Sequence, residues 1–496
     1  MKSSAPLSFL RWISLILILS AVILTTLELV SYSRIRTNFP SGETIASVPV
    51  GSMDRQQAAR LLTQTYGVPV EVHYGSNVIQ IKPSMAGFEL DLDVMLSAAD
   101  IQRVNQPFWG GFWDHLWNRH PSGAQIPLRA TYSEERLRDY LKNEISTRYD
   151  QPPTSAEPIP GTANFKPGQP GTYLNIDRAV TLIWDAFRSP GDRVVDLTFD
   201  SSSAPRPTLN NLQILLQQII DISQFKGIVE LYMDDLQNAQ TIHFAHQAGS
   251  PKPLKPDIAF SGWSTIKIPV LISAFRRLGD QPSDTNLSLM KNMIEVSSNE
   301  STDSLAQTVI DKNLGPVMVS DDMQTLGLLN TFWGGYFYTG APLLKRFETP
   351  ANKRTDINTG PDVYDQTTPE DLGLLLEDIY ACATNNGGAL IAAFPGQITQ
   401  EKCKLMIEYL SNNNINQLIQ AGVPAGTVVA HKHGWAVETD GMIHTMGNAA
   451  LIYTPGGNYI LSIFVHDDNQ VLFNPANQMV AELSRAVYNY FNVPSQ

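Results

Sequence analysis

The stretch that decides the fold lies at residues 260–270 and reads Phe260-Ser261-Gly262-Trp263-Ser264-Thr265-Ile266-Lys267-Ile268-Pro269-Val270. At its centre, Ser264 and Lys267 form a Ser-x-x-Lys motif. If this segment opens a helix, residues three apart share a face, so the lysine amine lies beside the serine hydroxyl. A serine needs an adjacent base to act as a nucleophile, and a lysine serves only if burial or nearby positive charge lowers its pKa. The neighbours that predict such burial are Trp263, Ile266, Ile268, Val270, Leu271 and Ile272.

A chain of this length contains a Ser-x-x-Lys about once or twice by chance, so the motif needs partners. Ser297 and Asn299 stand between two predicted helices and can offer a hydroxyl and an amide to one cleft. Lys432 and Gly434 lie on a predicted strand, where the glycine lets a ligand lie against the backbone and the N–H of Trp435 can face an oxyanion. Each fragment alone is typical of a helix cap or a strand end.

The three fragments in this order resemble the signature of penicillin-recognising serine enzymes, closest to class A β-lactamases. The resemblance implies that Ser264 attacks an amide carbonyl to form an acyl-enzyme and that Lys267 activates it. Ser297 would relay a proton to the leaving nitrogen. Asn299 would hold the substrate's side-chain amide, and Lys432 would bind the substrate carboxylate and lower the pKa of Lys267. The implied fold is an α/β sandwich with an antiparallel sheet and a helical lobe.

The same resemblance assigns the remaining substrate-binding residues. The N–H groups of Ser264 and Trp435 would form an oxyanion hole. Gly434 stands immediately before Trp435 on the predicted strand. His433 stands where the family has a threonine, and its charging near pH ~6.5 would make binding pH-dependent. The interval from Ser264 to Ser297 is 33 residues, shorter than in typical class A enzymes, which predicts a trimmed helical lobe.

The function depends on a second base that releases the acyl group. Class A enzymes carry a glutamate for this step, and the Arg-x-Glu-x-x-x-Asn spacing of Arg346, Glu348 and Asn352 makes Glu348 the candidate. With a working base, the protein hydrolyses β-lactams. Without it, the protein is acylated and turns over slowly, as penicillin-binding D,D-peptidases do.

Three functions therefore stand as hypotheses. The first is β-lactam hydrolysis through an acyl-serine, without metal or cofactor. The second is D,D-carboxypeptidase or related processing of peptidoglycan stem peptides. The third is a non-catalytic wall-binding or sensor protein that keeps the fold; the intact motif residues argue against it.

Residues 12–27 carry no charge and are near the lower length for a membrane-spanning helix. Lys2 and Arg11 precede them, so the positive-inside rule places the N-terminus in the cytoplasm. Because no small-x-small cleavage site follows, an uncleaved anchor is favoured over a removed signal. We therefore expect residues 1–35 to be a cytoplasmic tip and single-pass anchor, with the rest of the chain extracytoplasmic.

Residues 36–205 are β-rich with short helices, and 206–496 have strands at both ends of a helical middle, which indicates an α+β domain with an antiparallel sheet. The turn Val48-Pro49-Val50-Gly51 with its following helix, and the segment from Pro170 to Asp177, resemble the YoaR-like module found beside vancomycin-resistance W-type proteins. That resemblance implies peptidoglycan contact through residues 36–205. The Pro-rich stretch at 204–207 reads as the domain boundary.

An aromatic run, Pro107-Phe108-Trp109-Gly110-Gly111-Phe112-Trp113-Asp114-His115-Leu116-Trp117, lies inside the first domain. Such residues can rest at a membrane interface, stack on sugars or fill the core of a small domain. Filling the core is the expectation.

Composition narrows the partners. The 496 residues suffice for two or three domains, and the 43% hydrophobic and 17% charged fractions are typical of globular protein. The net charge of −13 argues against nucleic acid, since phosphate backbones attract a surplus of Lys and Arg. Cys382 and Cys403 are too few for a zinc cluster; they are either both free or joined in one disulfide if the compartment is oxidising.

Overall fold

The computed structural model describes residues 5–119, 123–279, 282–413 and 415–493. Lys2, which contributes to the predicted membrane orientation, lies outside them. The helices are α1 Ala5–Ile35, α2 Arg55–Tyr66, α3 Leu92–Val104, α4 Phe108–Leu116, α5 Glu134–Tyr140, α6 Thr147–Tyr149, α7 Ile176–Arg188, α8 Leu209–Ile222, α9 Lys267–Arg277, α10 Asp284–Glu295, α11 Asn299–Leu305, α12 Gly315–Thr325, α13 Pro369–Asn385, α14 Ala389–Ala393, α15 Gln400–Ser411, α16 Ile419–Gly422 and α17 Phe473–Phe491. The strands are β1 Thr44–Ile45, β2 Val48–Pro49, β3 Val70–Tyr74, β4 Asn77–Ile81, β5 Glu89–Leu90, β6 Gln125–Ile126, β7 Ala130–Thr131, β8 Glu157–Pro158, β9 Phe165–Lys166, β10 Gly171–Leu174, β11 Val194–Asp196, β12 Phe199–Ser202, β13 Ile228–Asp235, β14 Gln240–Gln247, β15 Phe260–Ser261, β16 Phe332–Trp333, β17 Asp365–Thr367, β18 Val428–Trp435, β19 Thr445–Tyr453 and β20 Tyr459–His466.

The chain divides into two compact units. The first comprises Met1–Pro153 and Pro170–Ser203, and the second comprises Thr154–Gln169 and Ala204–Gln496. Residues 154–169, which the predicted boundaries put in the first domain, therefore belong to the second unit. They pack there because Phe165 is buried in its core and its ring lies 6.4 Å from that of Tyr490.

The first unit begins with α1, which from Phe9 to Ile35 is long and apolar enough to cross a membrane. The rest consists of small sheets covered by helices. In one sheet, β3 pairs antiparallel with β4 and parallel with β11. The helix α2 begins where expected, because Asp54 caps it by accepting from the backbone N–H of Gln57.

The second unit is built on a five-stranded antiparallel sheet in the order β14-β13-β20-β19-β18. The alternation of strand side chains sends successive residues into two different cores. Ile460 and Phe464 of β20 face a core with α9, α10, α13 and α15, whereas Leu461 and Val465 face one with α8 and α17. This sheet between two helical layers confirms the predicted mixed α+β class with an antiparallel sheet.

Cys382 of α13 and Cys403 of α15 are joined in a disulfide with a Cα–Cα distance of 6.0 Å. Both residues are fully buried in the helical core. The question that the sequence left open is thus answered in favour of pairing, which closes a loop with a sequence separation of 21 between the two helices.

Candidate active site

Ser264 lies at the junction between a small sheet and the helix α9. Strand β15 pairs with β17, and the chain then makes a 3₁₀ turn from Trp263 to Ile266 before α9 begins at Lys267. Trp263 has a left-handed φ of 46°, which costs energy in a non-glycine residue. The side chain of Asp365 holds it there by accepting from the Trp263 backbone N–H at 2.5 Å. The turn is therefore held by a hydrogen bond to β17, a strand about a hundred residues later in the sequence.

Lys267 is fully buried, and its amine contacts Ser264, Ser297 and Asn299. Its Nζ lies 2.9 Å from Ser264 Oγ, 2.7 Å from Asn299 Oδ1, and 2.7 and 3.2 Å from the carbonyl O and Oγ of Ser297. Burial lowers the pKa of Lys267 to about 7, although the carboxyl groups of Asp365 and Asp303 act in the opposite direction. The amine is therefore neutral in a substantial fraction of molecules at neutral pH.

The neutral form of this amine has two N–H donors and one lone pair. The two nearest acceptors, the Ser297 carbonyl and Asn299 Oδ1, can only receive hydrogen bonds and so take both donors. The lone pair is then left for the hydroxyl proton of Ser264. This arrangement is that of a general base in contact with its nucleophile.

Ser297 joins the two lysines. Its Oγ lies 3.2 Å from Lys267 Nζ and 3.0 Å from Lys432 Nζ, and its own backbone has a left-handed φ of 59°. Burial, and then the charge of Lys267, lower the pKa of Lys432 well below its usual range. The amine of Lys432 donates to this hydroxyl, which keeps its own proton free, so Ser297 can donate into the cleft.

Strand β18 brings the third motif against the nucleophile. Gly434 lies so close that an added Cβ would be 2.9 Å from the backbone nitrogen of Ser264 and 2.8 Å from the carbonyl of Gly262. A side chain here would push the strand away, so this position requires glycine. The next residue, Trp435, lines the same cavity as Ser264.

His433 is buried, and its ring lies 4.6 Å from that of Trp435. Burial lowers its pKa to about 2, and the neighbouring Lys432 and His431 add to the effect. The expectation that His433 changes charge near neutral pH is therefore wrong, because a buried imidazole beside a lysine stays neutral. Its Nδ1 has no hydrogen-bond partner among the described residues.

A cavity of about 370 Å³ opens in front of Ser264. Its wall is largely aromatic, and two carboxyl groups complete it. Burial raises the pKa of Asp362 and raises that of Asp365 well above the usual range. The lining residues are Trp263, Ser264, Asn299, Gly335, Tyr336, Phe337, Tyr338, Gly340, Ala341, Asp362, Tyr364, Asp365, Trp435 and Ala436.

Two carboxyl groups at the site were not predicted from the sequence. Asp303 accepts from the backbone N–H groups of Phe337 and Tyr338, each at 2.9 Å, and the amine of Lys267 lies 5.3 Å from the centre of the Phe337 ring. Asp303 follows Asn299 by four positions, so helical spacing gave a signal for it. For Asp365 the sequence gave no such signal.

Glu348 lies elsewhere. Its side chain is 72% exposed and pairs with Lys353 at 2.7 Å, which lowers its pKa. The preceding residue, Phe347, is buried and stacks on Phe332, and this packing turns Glu348 outward. Glu348 is not among the residues that line the cavity, so the structure does not bring the predicted second base to Ser264.

The described residues include one group that could hold a metal ion, formed by Glu230, His243 and Asp257. The glutamate and the histidine of this group already contact each other. Glu230 lies 3.0 Å from His243 Nε2 and accepts from the backbone N–H groups of Asp257 and Ile258 at the same distance. These contacts explain the cluster as a buried tie between two strands and a loop.

Residues 278–491 match the sequence model of the beta-lactamase enzyme family. The match includes Ser297, Asn299 and Lys432 but begins after Ser264 and Lys267, so the position of the nucleophile depends on the geometry described above. No curated protein matches the chain.

Among solved structures, one titled as the structure of PBP-A is 19% identical, with a TM-score of 0.40, covering 58% of this chain and 99% of the other. A variant of the same protein, titled as an acyl-enzyme complex with penicillin G, matches with the same values. A class A beta-lactamase from Mycobacterium abscessus is 16% identical, with a TM-score of 0.39, covering 56% of this chain and 99% of the other.

Proposed function

We propose that this protein is a serine hydrolase that opens the amide of β-lactams through an acyl-Ser264 intermediate. The observation that carries the proposal is the 2.9 Å contact between Ser264 Oγ and the buried amine of Lys267, together with the pKa of about 7 for that amine. A half-buried serine in contact with a buried lysine amine of this pKa has what nucleophilic attack on an amide requires. The family match over residues 278–491 supports the same chemistry.

The steps follow from the contacts. Lys267 takes the hydroxyl proton while Ser264 Oγ bonds to the amide carbon, and the carbonyl oxygen becomes negative between the N–H groups of Ser264 and Trp435. The C–N bond then breaks, and Ser297 donates its proton to the leaving nitrogen. Lys267 passes the proton that it took from Ser264 to Ser297 Oγ, which lies 3.2 Å from its amine, so no proton is gained or lost. Lys432 lies beside the same hydroxyl to bind a substrate carboxylate, and Asn299 faces the cavity to hold a substrate amide. Water then hydrolyses the acyl ester.

A second candidate function, D,D-carboxypeptidase or related processing of peptidoglycan stem peptides, is favoured by the position of Glu348. Because this side chain is exposed and paired with Lys353, the acyl-enzyme lacks the expected base for its release. Slow release from β-lactams is the behaviour of a peptidase that these compounds inhibit. The proposed YoaR-like module at residues 36–205 would then hold the enzyme on its polymeric substrate.

We propose further that α1 anchors the protein in the cell membrane with both units outside the cytoplasm. The support is the length and apolar character of the helix, the charge of Arg11 near its start, and the disulfide in the second unit. Disulfides persist in oxidising compartments, which include the space outside the cytoplasmic membrane.

The test is to incubate the full chain in detergent with a fluorescent penicillin and to follow its intact mass over time. We expect one adduct per chain, mapped by peptide mass to the segment that contains Ser264, and we expect it to persist for many minutes. Release within seconds would favour β-lactamase over peptidase. If no adduct forms, both enzymatic functions are wrong and the non-catalytic wall-binding or sensor function takes their place.

A separate prediction concerns Glu348. We expect Glu348→Gln to change the lifetime of the acyl-enzyme by less than about twofold, because an exposed carboxylate paired with a lysine does not contact the ester. The lifetime is measured by intact mass after excess penicillin is removed. The control is Lys353→Met, which releases Glu348 from its partner and should be equally silent. A lifetime lengthened tenfold or more in Glu348→Gln would mean that the loop turns inward after acylation, and it would restore Glu348 as the base.

A further inference from the structure

The aromatic run of the first unit forms a face that the core does not use. Trp109, Trp113 and Trp117 are spaced by four residues along α4 and its last turn, so they share one side of the helix. They are 65%, 60% and 69% exposed. The expectation that these residues fill a core is therefore wrong, and we call these three side chains the Trp face.

The opposite side of α4 packs against the end of α1. The ring of Tyr32, itself buried, lies 5.5 Å from that of Phe108, 5.7 Å from that of Phe112 and 5.4 Å from that of His115. His115 also lies 3.3 Å from the carboxylate of Glu28. The helix therefore rests on α1 just beyond the uncharged stretch at residues 12–27.

The segment before α4 fixes this position. Arg36 donates to the carbonyl of Gln106 at 3.0 Å and lies 5.1 Å from the centre of the Phe108 ring. From α3, Arg103 donates to the carbonyls of Arg36 and Thr37 at 3.1 and 2.9 Å. The Trp face is thus held in a defined place relative to α1.

The length of α1 indicates where α4 would lie relative to a membrane. Trp12 near its start and Tyr32 near its end are about 20 residues apart, which at a rise of ~1.5 Å per residue is roughly 30 Å. This equals the hydrocarbon thickness of a bilayer. If Trp12 marks one membrane interface, α4 lies at the level of the other.

We propose that the Trp face lies in the headgroup region of the outer leaflet and holds the first unit against the membrane surface. The inference rests on the proposed anchor and is independent of the hydrolase. Indole rings prefer this region because one side is apolar and the N–H is polar. A helix with an apolar face against lipid and its other face against protein is typical of interfacial helices.

The alternative occupant is a wall glycan. Sugar sites combine aromatic rings with polar groups that orient the hydroxyls. The exposed Leu116 adds apolar surface to α4, whereas the polar His115 is turned toward Tyr32 and Glu28. This composition favours lipid.

The experiment uses the full chain in vesicles of equal parts phosphatidylglycerol and phosphatidylcholine with brominated acyl chains, which quench nearby indoles. We expect Trp12 and the Trp face to be quenched, four of the eight tryptophans. The triple variant Trp109→Ser, Trp113→Ser, Trp117→Ser should lower the quenched emission to roughly a quarter of its original value. The matched control, Trp184→Phe, removes an indole that stacks on Tyr132 inside the unit and should leave the quenched emission unchanged.

Any other outcome would contradict the proposal, and the outcomes can be told apart. If the chain does not float with the vesicles, the anchor itself is wrong. If the chain floats but the triple variant loses no quenched emission, the anchor stands and the Trp face does not contact lipid. If N-acetylglucosamine oligomers instead shift the emission that the triple variant removes, the face binds glycan. Circular dichroism of the variant shows that it folds, and no arm depends on penicillin.

Discussion

Ser264→Ala is expected to abolish covalent labelling by fluorescent penicillin entirely. The reason is chemical: Ser264 carries the hydroxyl whose proton Lys267 takes, whereas the other serine hydroxyl near Lys267, that of Ser297, receives a hydrogen bond from Lys432 and acts as a proton donor. Loss of the nucleophile removes the whole two-step pathway rather than one contribution to it. The measurement is intact mass after incubation with excess penicillin.

The matched control is Ser273→Ala, the same substitution in α9, the helix that follows the turn with Ser264. Ser273 is fully buried in α9 and its hydroxyl has no hydrogen-bond partner among the described residues. Removing it should therefore cost little stability and leave the labelling rate unchanged. An adduct of full size on the Ser264→Ala chain would mean that another residue is the nucleophile and that the proposed mechanism is wrong.

The second large effect is expected for Lys267→Met, which keeps the length and the apolar stem but removes the amine. We expect acylation to slow by about 10²–10⁴, the usual contribution of a positioned general base. In the unsubstituted protein the rate should rise with pH and level off above the pKa of about 7, because the neutral amine is the reactive form. The variant should lose this rise. Rates are taken from stopped-flow labelling between pH 5 and 9.

Lys402→Met is the matched control for the second prediction. Lys402 is also buried, and its amine donates to the carbonyls of Leu278 and Gln397 at 2.7 Å. Its loss should lower stability through those hydrogen bonds while the labelling rate per folded molecule stays the same. If Lys267→Met retained the rise near pH 7, another group would be the base.

The sequence was informative wherever local geometry determines contact. Ser264 and Lys267 meet because they are three residues apart at the start of a helix, and β18 was recognisable from its apolar run. The helix α8 begins at Leu209 because the side chain of Thr208 caps it. Such features depend on residues that are close together in the sequence, so a sequence pattern can predict them.

The sequence failed where packing between distant segments decides. The spacing of Arg346, Glu348 and Asn352 is present, but spacing does not say which side chain of a loop is buried. Here Phe347 is the buried side chain, and Glu348 points to solvent. Asp365 fixes Trp263 across about a hundred residues. The aromatic run was assigned to a core because aromatic content alone does not separate burial in protein from exposure at the surface.

The two units alternate along the chain, and this limits how the gene can be recombined without breaking a unit. The backbone enters the second unit at Thr154, leaves it after Gln169 and re-enters at Ala204. The excursion supplies β8 and β9, which buries Phe165, and Asn489 of α17 donates to the carbonyl of Ala163 at 2.8 Å. A gene fusion or deletion with one junction near codon 204 would separate the sheet unit from part of its own core. Recombination is therefore expected to transfer the two units together. Separating them would require cutting the gene at all three boundaries at once.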